Sequence, residues 1–191
     1  MHKSLSNITI SKPSIVLDLD ETIVYATPLK PKDLDNNHFF TINFKKRVFY
    51  VQIRPNLQHF LNQISKQYDI FFYTSSEKDY ASQIIDKIMP KTKQNQRFYR
   101  DSCKNIYGYF VKDLNVIKRP IKRVLLIDDS AGSAILNPAN LIRIKPWEGE
   151  KNDNILLNLL PILESIALEN DLRSSFIEAI KKRKVEGIDT F

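Results

Sequence analysis

The chain predicts an α/β domain: a parallel sheet flanked by helices, with a β-hairpin flap and a small β-sheet insert. Three observations carry that expectation. Two apolar runs of buried-strand type, Ser14-Ile15-Val16-Leu17 and Arg123-Val124-Leu125-Leu126-Ile127, each deliver acids at their ends, Asp18-Leu19-Asp20 and Asp128-Asp129. A third run, Asp69-Ile70-Phe71-Phe72-Tyr73, ends in the hydroxyls Thr74, Ser75 and Ser76. Between these runs lie stretches with helical spacing, and strand, helix, strand alternation requires crossovers and so parallel strands.

The 191 residues suffice for one domain with a sizeable core, since a chain of that size buries roughly 70% of its unfolded surface. A content of 42% hydrophobic and 27% charged residues is that of an ordinary globular protein. No apolar run approaches the ~20 residues of a membrane span. Met1 to Lys12 carry no apolar segment of secretory type and read as a polar lead-in (1–12). The domain is expected over 13–182, with an insert at about 97–112 and a tail at 183–191. The expectation from these features is a soluble, unexported protein; it is expected to be a monomer, although the sequence does not reveal oligomeric state.

Side chains alternate along a strand, so Asp18 and Asp20 leave the first run on one side. At about 4 Å and an effective dielectric near 20, two such charges repel by roughly 4 kcal/mol. The pair therefore calls for a cation, a shared proton or a lysine. A solvated turn or helix cap is the alternative for an isolated acidic tripeptide. Position favours a site, because ligands of open α/β sheets bind beyond the carboxyl ends of the strands.

The remaining elements follow in order. Pro28 to Asn37 is rich in Pro, Asp and Asn and reads as a loop. Phe39 to Phe44 and Val48 to Ile53 are β-prone around Lys45-Lys46-Arg47, a hairpin in which Phe40, Ile42 and Phe44 share a face. Pro55 opens a helix with Leu57, Phe60, Leu61 and Ile64 at helical spacing, ending near Tyr68. Another helix runs from about Glu77 to Ile88 before Pro90. Thr74 either meets a phosphate oxygen or caps that helix. Short β-prone pieces near Asp101-Ser102 and Tyr107-Gly108 suggest a meander, after which Lys112 is an exposed edge charge unless the fold brings it to Asp18. Leu141 to Ile144 reads as a last strand, Trp147 as core, and Asp153 to Leu168 and Asp171 to Lys182 as amphipathic helices.

Cys103 is the only cysteine, which excludes an internal disulfide and a cysteine-based zinc cluster. His2, His38 and His59 show no metal-ligand spacing. A formal charge of +7 favours an acidic partner, nucleic acid or a phosphorylated chain. Lys181-Lys182-Arg183-Lys184 is the only basic block, either a nuclear address or the polar end of a last helix.

Four segments in order, Asp18-Leu19-Asp20-Glu21-Thr22, Thr74 after a strand, Tyr109-Phe110-Val111-Lys112-Asp113-Leu114 and Asp128-Asp129-Ser130, resemble the motifs of the haloacid dehalogenase (HAD) superfamily. More narrowly, the chain is similar to the small phosphatases of the RNA polymerase II carboxyl-terminal domain, the NLI-interacting-factor-like family. The resemblance runs from Pro13 to about Leu168 and includes Arg54-Pro55, Tyr80, Arg100-Asp101-Ser102-Cys103 and Leu159-Leu160-Pro161. It implies a Rossmann-like, HAD-like sheet and a Mg²⁺-dependent protein phosphatase acting on phosphoserine or phosphothreonine through an aspartyl-phosphate.

In that resemblance Asp18 is the nucleophile and Asp20 the general acid and base. Mg²⁺ is held by Asp18, the Asp20 backbone carbonyl and Asp129. Thr74 and Lys112 hold phosphoryl oxygens, Asp128 supports the lysine or the metal waters, and Thr22 orders the motif loop. Arg100, Tyr80, Phe40, Ile42 and Phe49 match substrate-contacting positions, although each aromatic reads equally well as hairpin core. Pro28 stands where relatives often carry an aromatic, and Asp129 where small phosphatases often carry Asn. Phosphorylated Ser-Pro peptides like the polymerase tail are the implied partner, with a nuclear or cytoplasmic location and no direct nucleic-acid binding. A small-molecule phosphatase and a non-catalytic scaffold are the rivals; scaffolds usually lose an acid or the lysine, and all are present here.

Overall fold

The computed structural model describes residues 12–30, 39–183 and 187–189. Most of the expected lead-in and of the loop after Pro28 lies outside the described residues, as do His2, His38 and Lys184. In chain order the elements are β1 (Ser14–Leu17), β2 (Val24–Thr27), β3 (Phe39–Phe44), β4 (Arg47–Ile53), α1 (Leu57–Ile64), β5 (Asp69–Tyr73) and α2 (Lys78–Ile88). There follow β6 (Arg97–Phe98), β7 (Lys104–Ile106), β8 (Tyr109–Val111), β9 (Val124–Asp128), β10 (Leu141–Ile144), α3 (Ile155–Ile166), α4 (Leu172–Arg183) and β11 (Ile188–Asp189).

Among the described residues six strands form the main sheet, in the order β11-β10-β9-β1-β5-β6. All neighbours pair in parallel except β10 with β11. Because a parallel sheet is covered on both faces, the central strands β1, β5 and β9 are apolar between their ends. Alternation then divides them between two cores. Ile15, Leu17, Phe72, Leu125 and Ile127 pack with residues of α1 to α4, whereas Val16, Phe71, Tyr73 and Leu126 pack under Leu114, Ile117 and Ala134. The second core is thus closed by short 3₁₀ turns. Leu17 sits opposite both Phe72 and Ile127, so β1, β5 and β9 end level and their next residues emerge at one edge.

Three differences from the sequence expectation stand out. The flap has three strands, since β2 pairs antiparallel with β4, Val24 opposite Ile53. Four residues following the acidic loop are too few to show a period. Of the insert, Arg97–Phe98 pairs in parallel with β5 and is an edge strand of the main sheet, while Asp101 and Ser102 lie in a 3₁₀ turn. Only β7 and β8 form the small sheet. Finally, Ile188–Asp189, expected in the tail, closes the other edge against β10. As anticipated, Lys45 and Lys46 make the flap turn, both at positive φ (47° and 62°), the geometry of a two-residue hairpin.

Arg54 ties the strand ends to the helices behind them. It is 1% exposed. Its Nε and Nη2 donate to both Asp153 oxygens (2.9 and 2.8 Å), Nη1 to the Thr22 carbonyl (2.7 Å) and Nη2 also to the Lys145 carbonyl (3.1 Å). Asp153 in turn accepts from the Ile155 amide at the start of α3 (3.2 Å). Among the described residues no helix is long and apolar enough to cross a membrane.

Replacing the buried Arg54 by Ala removes the partner of the half-buried Asp153 carboxylate and of the Thr22 and Lys145 carbonyls, and should cost about 3 kcal/mol in urea unfolding. A smaller, pH-dependent effect is expected at α4. Asp171 accepts from the Arg173 amide at 3.1 Å, and its hydrogen bond with the Arg173 guanidinium holds its carboxyl down at about 2. Its folded pKa lies below the unfolded value of 3.8, so the stabilisation is complete above about pH 4 and disappears as pH falls through 2. Asp171→Ala should lower stability by about 1 kcal/mol at pH 7 and by almost nothing near pH 2, measured by thermal melts.

Candidate active site

The level ends of β1, β5 and β9 bring the acidic loop, the hydroxyls and the acid pair together. The Asp18 amide donates to the Ile127 carbonyl (3.1 Å), extending the β1 to β9 pairing by one residue. The chain then folds back tightly, the Leu19 carbonyl accepting from the amides of Thr22, Ile23 and Val24 at 3.3, 2.9 and 3.0 Å. Glu21 takes the left-handed conformation (φ 60°), and its carbonyl is fixed by the Trp147 amide at 2.7 Å.

Lys112, just beyond β8, is not an edge charge. It is 2% exposed, and its Nζ lies 2.6 Å from Asp18 Oδ1 and 2.6 Å from Asp128 Oδ2. Asp128 is 1% exposed and also accepts from the Ser130 amide (2.9 Å). Thr22 Oγ1 donates to Asp129 Oδ1 (2.8 Å) and receives the Asp129 amide in return (3.2 Å). Arg143 Nε donates to the Asp129 carbonyl (3.1 Å).

Carboxylate oxygens of Asp18, Asp128 and Asp129 all lie within 4.8 Å of one another. Burial pushes Asp18 above the usual carboxylate range, and the neighbouring Asp128 pushes the same way against Lys112. Asp129 is raised chiefly by burial. For Lys112, burial works against the ammonium, yet Asp128 and Asp18 outweigh it and hold its pKa above the ordinary lysine value. Three carboxylates therefore face one shared ammonium. The residual negative charge, in an all-oxygen donor set, fits a hard divalent cation such as Mg²⁺.

Thr74 is 1% exposed and its Oγ1 accepts from the Ser76 amide (3.0 Å), an acceptor role that leaves its hydrogen free to donate. A cavity of about 270 Å³ is lined by Asp18, Asp20, Thr74, Lys112, Asp128 and Asp129 among others. A second cavity of similar volume is bounded by Asp20, Phe44, Phe49, Ser76, Tyr80 and Arg100, with Glu77. Asp20 borders both. Its carboxylate stands outside the acid cluster and accepts from Ser76 Oγ (2.8 Å) and the Tyr80 hydroxyl (2.5 Å).

The structure thus gathers Asp18, Asp20, Thr74, Lys112, Asp128 and Asp129 around one cavity, with Thr22 behind Asp129. Of the expected substrate contacts, Phe49, Tyr80 and Arg100 meet at the second cavity, whereas Phe40 and Ile42 do not line it. Ile42 is 2% exposed, because α2 packs across the middle of β3 and seals it in the core. Phe44, nearer the hairpin end, lines the cavity instead, its ring 5.5 Å from that of Tyr80. Cys103 is half-buried beside Thr74, its Sγ 3.8 Å from the Thr74 carbonyl. Sequence reasoning missed Phe44, Arg54, Asp153 and Ser76 as parts of this assembly. Phe44 was visible in the β3 alternation and Ser76 as a hydroxyl after β5, but no local signal pairs either with Asp20.

The family model described as NLI interacting factor-like phosphatase matches residues 13–173. The chain belongs to that family. Similar proteins include "CTD small phosphatase-like protein 2" of Dictyostelium discoideum, 37% identical over 172 residues, covering 89% of this chain and 30% of that protein. "CTD nuclear envelope phosphatase 1 homolog" of Drosophila melanogaster is 34% identical over 174 residues, covering 86% of this chain and 72% of that one. The fold is that of the solved structure of Fcp1, an essential RNA polymerase II CTD phosphatase, at TM-score 0.61 and 23% identity over 94% of this chain. This chain spans 55% of the Fcp1 chain and under a third of the Dictyostelium protein.

If the acid cluster takes a divalent ion, Mg²⁺ at a hundred times its dissociation constant should stabilise the fold by about 2.7 kcal/mol. A Tm rise on adding Mg²⁺ to the wild type, absent in Asp129→Ala, is the outcome expected.

Proposed function

We propose that this domain is a Mg²⁺-dependent protein phosphatase that hydrolyses phosphoserine and phosphothreonine, on Ser-Pro segments like those of the RNA polymerase II tail. The observation that carries the reading is the Lys112 ammonium between Asp18 and Asp128 at the end of β1 and β9, with Thr74 and Asp129 around the same cavity. One Asp18 oxygen is engaged by Lys112, which leaves the other to attack.

In the first step that oxygen forms a bond to phosphorus as the seryl oxygen leaves. Asp20 supplies the proton the leaving oxygen needs, and the product is an aspartyl-phosphate on Asp18. In the second step Asp20 takes a proton from water as the water oxygen bonds to phosphorus. The bond to Asp18 breaks, and inorganic phosphate departs. Lys112 and Thr74 hold the phosphoryl oxygens throughout, and their fixed positions avoid reorganisation as charge shifts. Mg²⁺, held by Asp18, Asp129 and the Asp20 backbone carbonyl, would supply charge neutralisation of the carboxylates and the transferring oxygens. Phosphate monoesters are among the slowest bonds to hydrolyse unaided, with accelerations up to about 10²¹, so these groups are needed together.

A protein substrate is favoured over a small phosphate ester by the second cavity. Its aromatic walls, Phe44, Phe49 and Tyr80, offer a side chain next to the phosphorylated residue an apolar seat. The names of the relatives point the same way, to CTD phosphatases. A nuclear or cytoplasmic location and a monomeric state accompany this reading. The test is phosphate release from a panel of phosphorylated heptad peptides and sugar phosphates, with and without Mg²⁺. Asp18→Asn should abolish release while the variant stays folded by circular dichroism at the assay temperature; release undiminished in that variant, or sugar phosphates preferred over every peptide, overturns the reading.

A further inference from the structure

Asp20 forms part of the wall between the two cavities, and its carboxylate is held from the apolar side. Tyr80 and Ser76 each donate a hydroxyl to one of its oxygens, at 2.5 and 2.8 Å. Both donors also line the apolar cavity, so whatever fills that cavity touches the groups that orient Asp20. Tyr80 is 8% exposed, and its ring is fixed edge-on by Phe44 and Phe49, with centroids 5.5 and 6.1 Å away. Ser76 is placed by its own amide on Thr74 Oγ1 and by its carbonyl, which accepts from the Arg100 amide (3.0 Å). Arg100 also donates from Nε to the Ser75 carbonyl and rests over the Phe110 ring at 4.9 Å. The phenol and the serine thus connect the insert, the flap and the catalytic loop at a single carboxylate.

We propose that Tyr80 and Ser76 are positioning residues that aim Asp20 at the leaving oxygen, and that filling of the apolar cavity by the substrate's neighbouring side chain sets this aim through the Tyr80 ring. The inference rests on the reading of Asp20 as the group that gives and takes the proton. Apolar flanking residues then act on turnover as well as on binding. A pocket that served only for adhesion would lower KM alone.

The experiment compares leaving groups, because p-nitrophenolate departs without a proton whereas a seryl oxygen requires one. Wild type, Tyr80→Phe, Ser76→Ala and Ser76→Thr are assayed with Mg²⁺ on p-nitrophenyl phosphate and on phosphoserine peptides whose following residue is Pro or Gly. Tyr80→Phe keeps the ring and its packing, so the fold is preserved. The loss of kcat on the Pro peptide should exceed the loss on p-nitrophenyl phosphate by about tenfold in Tyr80→Phe, and in the same sense in Ser76→Ala, with recovery in Ser76→Thr. In wild type the change from Pro to Gly should lower kcat; in Tyr80→Phe it should raise only KM. Equal losses on both leaving groups, or a flank effect confined to KM in wild type, overturn the coupling while leaving the phosphatase reading intact. A wild type inactive on every phosphoester sinks that reading and this inference with it.

Discussion

One ammonium shared between two buried carboxylates is the interaction around which the structure is arranged. Lys112 reaches Asp18 and Asp128 at equal distances of 2.6 Å, and no pair of these three groups makes sense without the third. Removing the lysine would leave adjacent buried acids that cannot both ionise; removing one acid would leave the ammonium asymmetrically paired. Even intact, the trio with Asp129 retains more negative than positive charge. A hard divalent cation would balance that excess in an all-oxygen donor set.

The sheet makes this possible through register. β1, β5 and β9 end level, so three segments separated by many residues present Asp18, Thr74 and Asp128 at one edge. The β8 strand delivers Lys112 to the same edge, anchored by the Lys112 amide on the Ser133 carbonyl at 2.7 Å. Behind the edge, Arg54 joins the Thr22 carbonyl to Asp153 at the start of α3. The loop that carries Asp20 and Thr22 is thereby tied to the start of α3.

The flap and the insert enclose space beside the acidic edge of the sheet. Phe44 and Phe49 come from the flap, Tyr80 from α2 and Arg100 from the turn after β6, and they enclose the space next to Asp20. Exposed Tyr109 and Phe110 of the small sheet line the cavity around Asp18 and Lys112. Aromatic side chains thus line both of the cavities that Asp20 borders.

The sequence alone determined the strands and their acids, since buried parallel strands write themselves as continuous apolar runs and carboxylates at their ends are locally conspicuous. It also determined the main helices, because their apolar spacing is periodic, and the ordered motifs from which the family was legible. The tertiary structure decided what periodicity cannot encode: that Arg97–Phe98 and Ile188–Asp189 are sheet edges, that Ile42 is sealed while Phe44 is open, and that Lys112 is buried. The same holds for Ser76 and Tyr80 on Asp20. Each of these depends on which distant segment lies alongside, and a two-residue strand or a single hydroxyl carries no local pattern from which its partner can be read.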